Sequence, residues 1–176
     1  FPTRRSSDLR KRMDLIGALL VAVATALGGG TVRDLLLDRN VFWVVDQTYL
    51  MAALATAILA FIIVRHRHLP ANLFLIPDAI GLALFTIVGT QVALQWHTPW
   101  LAASLMGVIT GVVGGVLRDI LCNDVPSVFL KGELYATAAW LGALSLIALQ
   151  TLGMAPVNAA WVAMRSEEHT SELQSP

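Results

Sequence analysis

The feature that most limits what this chain can become is a series of five apolar runs, each about long enough for one helix to cross a bilayer. Residues 15–32, 48–64, 73–94, 100–117 and 134–152 are almost free of charge, and a helix needs roughly 17 to 25 such residues to traverse hydrocarbon. Lipid offers a backbone no hydrogen-bond partner, so a spanning segment must satisfy its own N–H and C=O groups. The runs lack the apolar/polar alternation of barrel strands, which leaves helices. Composition agrees: 56% of residues are hydrophobic and 14% charged, against about 25% charged in an ordinary soluble domain, and the mean hydropathy is +0.69. The expected fold is therefore all-α, a polytopic transmembrane helical bundle. A sixth apolar run, residues 154–164, stops after 11 residues and reads as the start of a further helix.

Both ends depart from this pattern. Residues 1–9 and 165–176 are polar and resemble translated sequencing adapters, so they are read as non-native tails and set aside from the fold. Nine basic and eight acidic residues then remain. With alternating spans, Arg10, Lys11, Arg12, Arg65, Arg67, Arg118 and Lys131 fall on one side, and Arg33 and Arg39 on the other. The basic excess makes the first side cytoplasmic. Trp43, Trp96, Trp100 and Tyr135 fall near span ends, where amphipathic rings suit the interface as well as incidental packing. Cys122 is the single cysteine, with no disulfide partner and no set of metal-ligating companions.

A repeat sits within the spans. An offset of 85 residues lays Gly29-Gly30-Thr31-Val32-Arg33-Asp34 on Gly114-Gly115-Val116-Leu117-Arg118-Asp119. The correspondence continues with Leu35 on Ile120, Leu36 on Leu121 and Asp38 on Asn123. Three crossings separate the copies, an odd number, so the second copy is upside down relative to the first: an inverted repeat. With a three-helix unit, the chain divides into residues 10–77, a first repeat lacking its first helix, and residues 78–164, a second repeat plus the start of a last helix. The full protein would have seven helices, about five of them complete here.

Two readings of Gly28, Gly29, Gly30, Gly114 and Gly115 compete. Small residues let helices approach closely; alternatively, the helix unwinds there and its carbonyls help replace an ion's hydration shell. Arg33 and Arg118 follow the last glycine by about one helical turn. Adjacent residues do not face each other on a helix, so each arginine is expected to pair with carbonyls or with an acid on another helix, such as Asp78, rather than with Asp34 or Asp119 beside it. Asp78 after Pro77 also suits a helix start, where a carboxylate stabilises the positive end. No hydrolase, metalloprotease or phosphate-loop motif is present, and no basic face suits nucleic acid. The chain reads as neither an enzyme nor a nucleic-acid binder.

Residues 13–37, together with 110–126 and the segment Asp78-Ala-Ile-Gly-Leu-Ala-Leu-Phe-Thr-Ile-Val-Gly89, resemble the bacterial inner-membrane proteins grouped with trimeric intracellular cation channels, whose domain is also catalogued as a glycine transporter domain. The resemblance extends over residues 10–164. It implies a multi-pass protein of the bacterial inner membrane and a homotrimer in membrane lipid, each protomer having seven helices and its own pore. It also implies kinks at Gly28–Gly30 and Gly114–Gly115, with Arg33 and Arg118 as the matching basic positions. Monovalent cations such as potassium would pass as permeant ions, with no cofactor, bound metal or catalytic residue. Val113 stands where the first copy has Gly28, so the second kink should be weaker. The candidate ion pathway is Gly28, Gly29, Gly30, Arg33, Asp34, Asp78, Gly114, Gly115, Arg118 and Asp119. A carrier for a small solute such as glycine is the alternative.

Overall fold

The structure of the protein, a computed structural model, describes residues 14–66, 75–129 and 135–153. Among them the chain forms α1 (Leu15–Leu36), a one-turn helix α2 (Phe42–Val45), α3 (Gln47–His66), α4 (Leu75–Gln95), α5 (Trp100–Leu121), a 3₁₀ turn (Ser127–Phe129) and α6 (Tyr135–Thr151). α1, α3, α4 and α5 are long and apolar enough to cross a membrane, and α6, at 17 residues, is at the short end of the range. The apolar run 154–164 lies outside the described residues.

α1 begins at Asp14, whose carboxylate accepts from the N–H of Gly17 at 2.8 Å, satisfying one of the donors a helix start leaves unpaired. It runs a full turn beyond the apolar stretch, which brings Arg33 and Asp34 inside the helix. Its end is a Schellman turn: Arg39 N–H donates to the carbonyl of Asp34 and Asp38 N–H to that of Leu35, with Asp38 at φ +51°. α5 ends in the same way, with Asp124 donating to Asp119, Asn123 to Ile120, and Asn123 at φ +56°. Asp and Asn are the residues other than glycine that most readily take this left-handed conformation. The 85-residue offset is thus kept in backbone geometry as well as in side chains. It reaches further still, because the 3₁₀ turn starts at Ser127, 85 residues after Phe42 opens α2. These two short helices were not read from the sequence; each is less than two turns long and too short to carry a period.

α5 is central: α1, α4 and α6 all pack against it, while α3 packs on α1 and buries only Ala57. The core is rich in small residues: Ala93, Ala103, Ala139 and Ala143 are fully buried, beside larger buried side chains such as Leu27, Leu82, Ile87, Leu146 and Ile147. Small side chains let helix backbones approach in a solvent that gives apolar side chains no drive to associate. Buried hydroxyls are mostly bonded back to their own helix: Thr90 to the Thr86 carbonyl at 2.9 Å, Thr110 to Met106 at 2.6 Å, and Ser104 to Leu101 at 2.7 Å. Ser104 also accepts from Trp140 Nε1 at 3.0 Å, joining α5 to α6.

The tightest approach is between α1 and α5. A Cβ on Gly29 would fall on the carbonyl oxygen of Thr110, and a Cβ on Gly114 would fall on that of Thr25. These are one contact made twice, since Thr110 is 85 residues beyond Thr25 and Gly114 is 85 beyond Gly29. The two helices run antiparallel, as an inverted pair must.

Overpacking at a backbone contact costs about 1–3 kcal/mol. Gly29→Ala and Gly114→Ala are each expected to lower unfolding stability in detergent by at least that amount. Gly81→Ala, with nothing within 4 Å of its added methyl, should be neutral or up to about 1 kcal/mol stabilising through helix propensity. An unfolding titration of the three variants checks this.

Candidate functional site

The helical hydrogen-bond pattern continues from Leu15 to Leu36 and from Trp100 to Leu121. Neither glycine cluster unwinds its helix, and this corrects the expectation of freed carbonyls at Gly28–Gly30 and Gly114–Gly115. A glycine lacks a Cβ whether the helix breaks or not, and here that absence is used for contact. Gly29 and Gly114 meet the opposing backbone, a Cβ on Gly28 would strike Leu117 Cδ1, and one on Gly30 would meet the Phe42 ring at 2.5 Å. A Cβ on Gly115 would come only to 3.7 Å from the Arg118 guanidinium. Gly28, whose counterpart is Val113, meets a side chain and not a backbone.

Each charged pair lies one turn beyond the crossing. In the first copy Arg33 Nε donates to Asp34 Oδ1 at 2.8 Å, with a second guanidinium nitrogen at 2.7 Å. Asp34 Oδ2 accepts from the N–H of Phe42 at 2.8 Å, and Arg39 Nε lies 3.5 Å from Oδ1. The Arg33 side chain is 5% exposed and that of Asp34 0%. The guanidinium of Arg33 also lies 5.8 Å from the centre of the Phe42 ring, within range of a cation–π attraction. Arg39 sits 5.0 Å over Trp96 at the end of α4, and Trp43 Nε1 donates to Thr31 Oγ1 at 2.9 Å. One carboxylate thus joins α1, the following loop and α2. Beyond it Asp46 accepts from Thr48 N–H at 2.9 Å, and the hydroxyl and backbone donors of Thr48 hold its carboxyl below the usual range.

In the second copy Arg118 Nε donates to Asp119 Oδ1 at 2.9 Å, and a terminal nitrogen donates to Asp78 Oδ1 at 2.5 Å. The side chains of Arg118 and Asp78 are 33% and 31% exposed. Asp78, in the first turn of α4, therefore pairs with an arginine at the same end of the bundle, as expected. The pairing between neighbours was not expected, and it occurs twice. Adjacent positions diverge at Cβ, but an arginine arm is long enough to fold back along the last turn of its own helix. Burial then favours the nearest carboxylate.

The structure thus brings Asp78, Arg118 and Asp119 together at one end and Arg33 and Asp34 at the other, with the glycines between. Residues missed from the sequence are Thr25 and Thr110, whose carbonyls receive the glycines, and Phe42, Arg39 and Trp96. The two threonines carried a usable signal, since they obey the same offset as the motif. Among the described residues no three His, Cys, Asp or Glu side chains gather as a metal site.

This arrangement, an antiparallel inverted pair of glycine-bearing helices capped at each end by a buried or half-buried ion pair, defines a polytopic helical membrane protein. A model described as glycine transporter matches residues 7–65 and 75–151. Over 133 residues the chain is 45% identical to the UPF0126 inner membrane protein YadS of Escherichia coli (strain K12), covering 74% of this chain and 64% of YadS; it thus spans just under two thirds of that relative's length. The TRIC trimeric intracellular cation channel orthologue from Rhodobacter sphaeroides has the same fold, with a TM-score of 0.83 and 37% identity over 92% of this chain and 85% of that one. A second solved TRIC cation channel gives 0.79 and 31% identity, with 92% and 80% coverage. The chain belongs to this glycine transporter family, which has the fold of the trimeric intracellular cation channels. It is a multi-pass protein of the bacterial inner membrane.

Removing one member of a buried ion pair strands the other, at a cost of about 3–5 kcal/mol. Asp34→Asn is expected to destabilise the folded protein on that order. Asp119→Asn should cost clearly less, because Arg118 keeps Asp78 and is one-third exposed. Comparing the two in one detergent unfolding series tests the asymmetry.

Proposed function

We propose that the complete protein is a channel for monovalent cations, potassium among them, working as a homotrimer with one pathway in each protomer alongside the α1–α5 crossing. The observation that carries this reading is the inverted pair itself: the same glycine contact and the same Arg–Asp sequence at opposite ends, in a chain that shares its fold with cation channels. In this reading the glycine contacts hold α1 and α5 together beside the middle of the pathway. The ion pairs sit at the mouths. A lone arginine at a mouth would repel cations, but one held by carboxylates leaves acceptor oxygens to meet them. Asp78 and Arg118, both part-exposed, form the more open of the two mouths.

The test is potassium flux into liposomes holding the full-length protein, measured beside uptake of labelled glycine. The expected result is potassium flux that rises with concentration over a wide range and no saturable glycine uptake; saturable glycine uptake without conductance would sink the channel. Arg118→Gln is expected to raise potassium flux severalfold by removing positive charge from the part-exposed mouth, and Asp78→Asn to lower it. Unchanged flux in both variants would place the pathway elsewhere.

A further inference from the structure

The two repeats share an outward face as well as a buried motif. Past the ion pairs, Leu35 and Ile120, Leu36 and Leu121, and Val44 and Phe129 are three pairs at the 85-residue offset, and each of the six side chains is more than half exposed. Val44 belongs to α2 and Phe129 to the 3₁₀ turn, so each patch combines the last turn of a spanning helix with the short helix that follows. Val45 and Val125 enlarge the two patches. A loop entering water would not be expected to keep exposed apolar residues at equivalent places in two segments of different sequence.

We infer that α2 and the 3₁₀ turn lie in the interfacial layer of the bilayer, one in each leaflet, with these patches seated at the boundary between lipid headgroups and acyl chains. The inversion of the repeat selects this occupant. α1 and α5 end on opposite sides of the membrane, so any partner of both patches must be present on both sides in equivalent orientation. A soluble protein meets one side only. The lipid bilayer presents the same layer twice, and neither short helix is long enough to span it. Interfacial segments of this type bury their apolar face at the boundary and keep polar groups toward water. In the first patch Arg39, stacked on Trp96, and the indole of Trp43 supply the amphipathic groups that favour this depth. Asp34, by holding the N–H of Phe42, sets the angle at which α2 leaves α1 and so the depth at which Val44 rests.

The test uses the full-length protein in phosphatidylcholine and phosphatidylglycerol vesicles, with Cys122→Ala as background and an environment-sensitive dye on Val44→Cys, Phe129→Cys or, as a water-facing control, Asn40→Cys. Quenchers are aqueous iodide and phosphatidylcholine carrying a doxyl group near the headgroup or near the chain end. At positions 44 and 129 the expected result is loss of emission to the shallow lipid quencher, a smaller loss to the deep one and none to iodide, with the reverse preference at position 40. Quenching by iodide at either patch would place it in water, insensitivity to all three would place it under a neighbouring copy, and greater loss to the deep quencher would place it in the hydrocarbon. Each of those results overturns the inference. The measurement does not depend on conductance, so it stands or falls separately from the channel reading.

Discussion

Two backbones in contact at one point hold the arrangement together. Where Gly29 faces the Thr110 carbonyl and Gly114 faces that of Thr25, α1 and α5 approach more closely than any side chain larger than hydrogen would permit. In lipid there is no water to expel between helices, so association rests on dispersion and close fit. The rest of the fold follows from that distance. α4 lies along the same helix through Gly107 and Gly111, which face Thr86, Thr90 and the Leu82 carbonyl. α6 closes the remaining side of α5 with alanines and the Trp140–Ser104 bond.

The charged ends show how one motif serves two environments. The same Arg–Asp dipeptide, with the same Nε to Oδ1 bond, is sealed in the first copy by a loop that turns back and donates a backbone N–H to it. In the second copy it is opened outward by an acid from α4. Geometry alone does not separate the two, since the covalent distances and the terminal Schellman turns are shared. What differs is the neighbour: an aromatic residue at the start of α2, Phe42, in one case and a carboxylate, Asp78, in the other. Desolvation makes the first pair a structural clamp, while the second pair stays partly open to its surroundings.

Much of this was legible in the sequence because membrane physics leaves few alternatives. Run length set the spans to within a few residues, and an odd number of crossings between two motif copies required inversion. Asp78 could be named as a partner for one of the two arginines because it is the only acid in its span, though not which one. The neighbour pairing of Arg33 with Asp34 was hidden because helix periodicity describes where Cβ atoms point and not how far a guanidinium reaches. The unbroken helices were hidden for a related reason. Glycine in a span is equally suited to a break and to a close contact, and only the position of the opposing carbonyl decides between them. α2 was invisible for want of length, although Asp34 eight residues earlier is what orders it.

The crossing has a further geometric consequence. Two rods touching at a single point, and exchanged by a half-turn about an axis through it, behave as a pair of scissors: any rotation that preserves the half-turn spreads both ends together. A carrier must instead hold one end shut while the other parts, which breaks that equivalence. The unlike ends found here, one clamped by Asp34 and one tied by a part-exposed bridge to Asp78, are where such a pivot would lose its symmetry first.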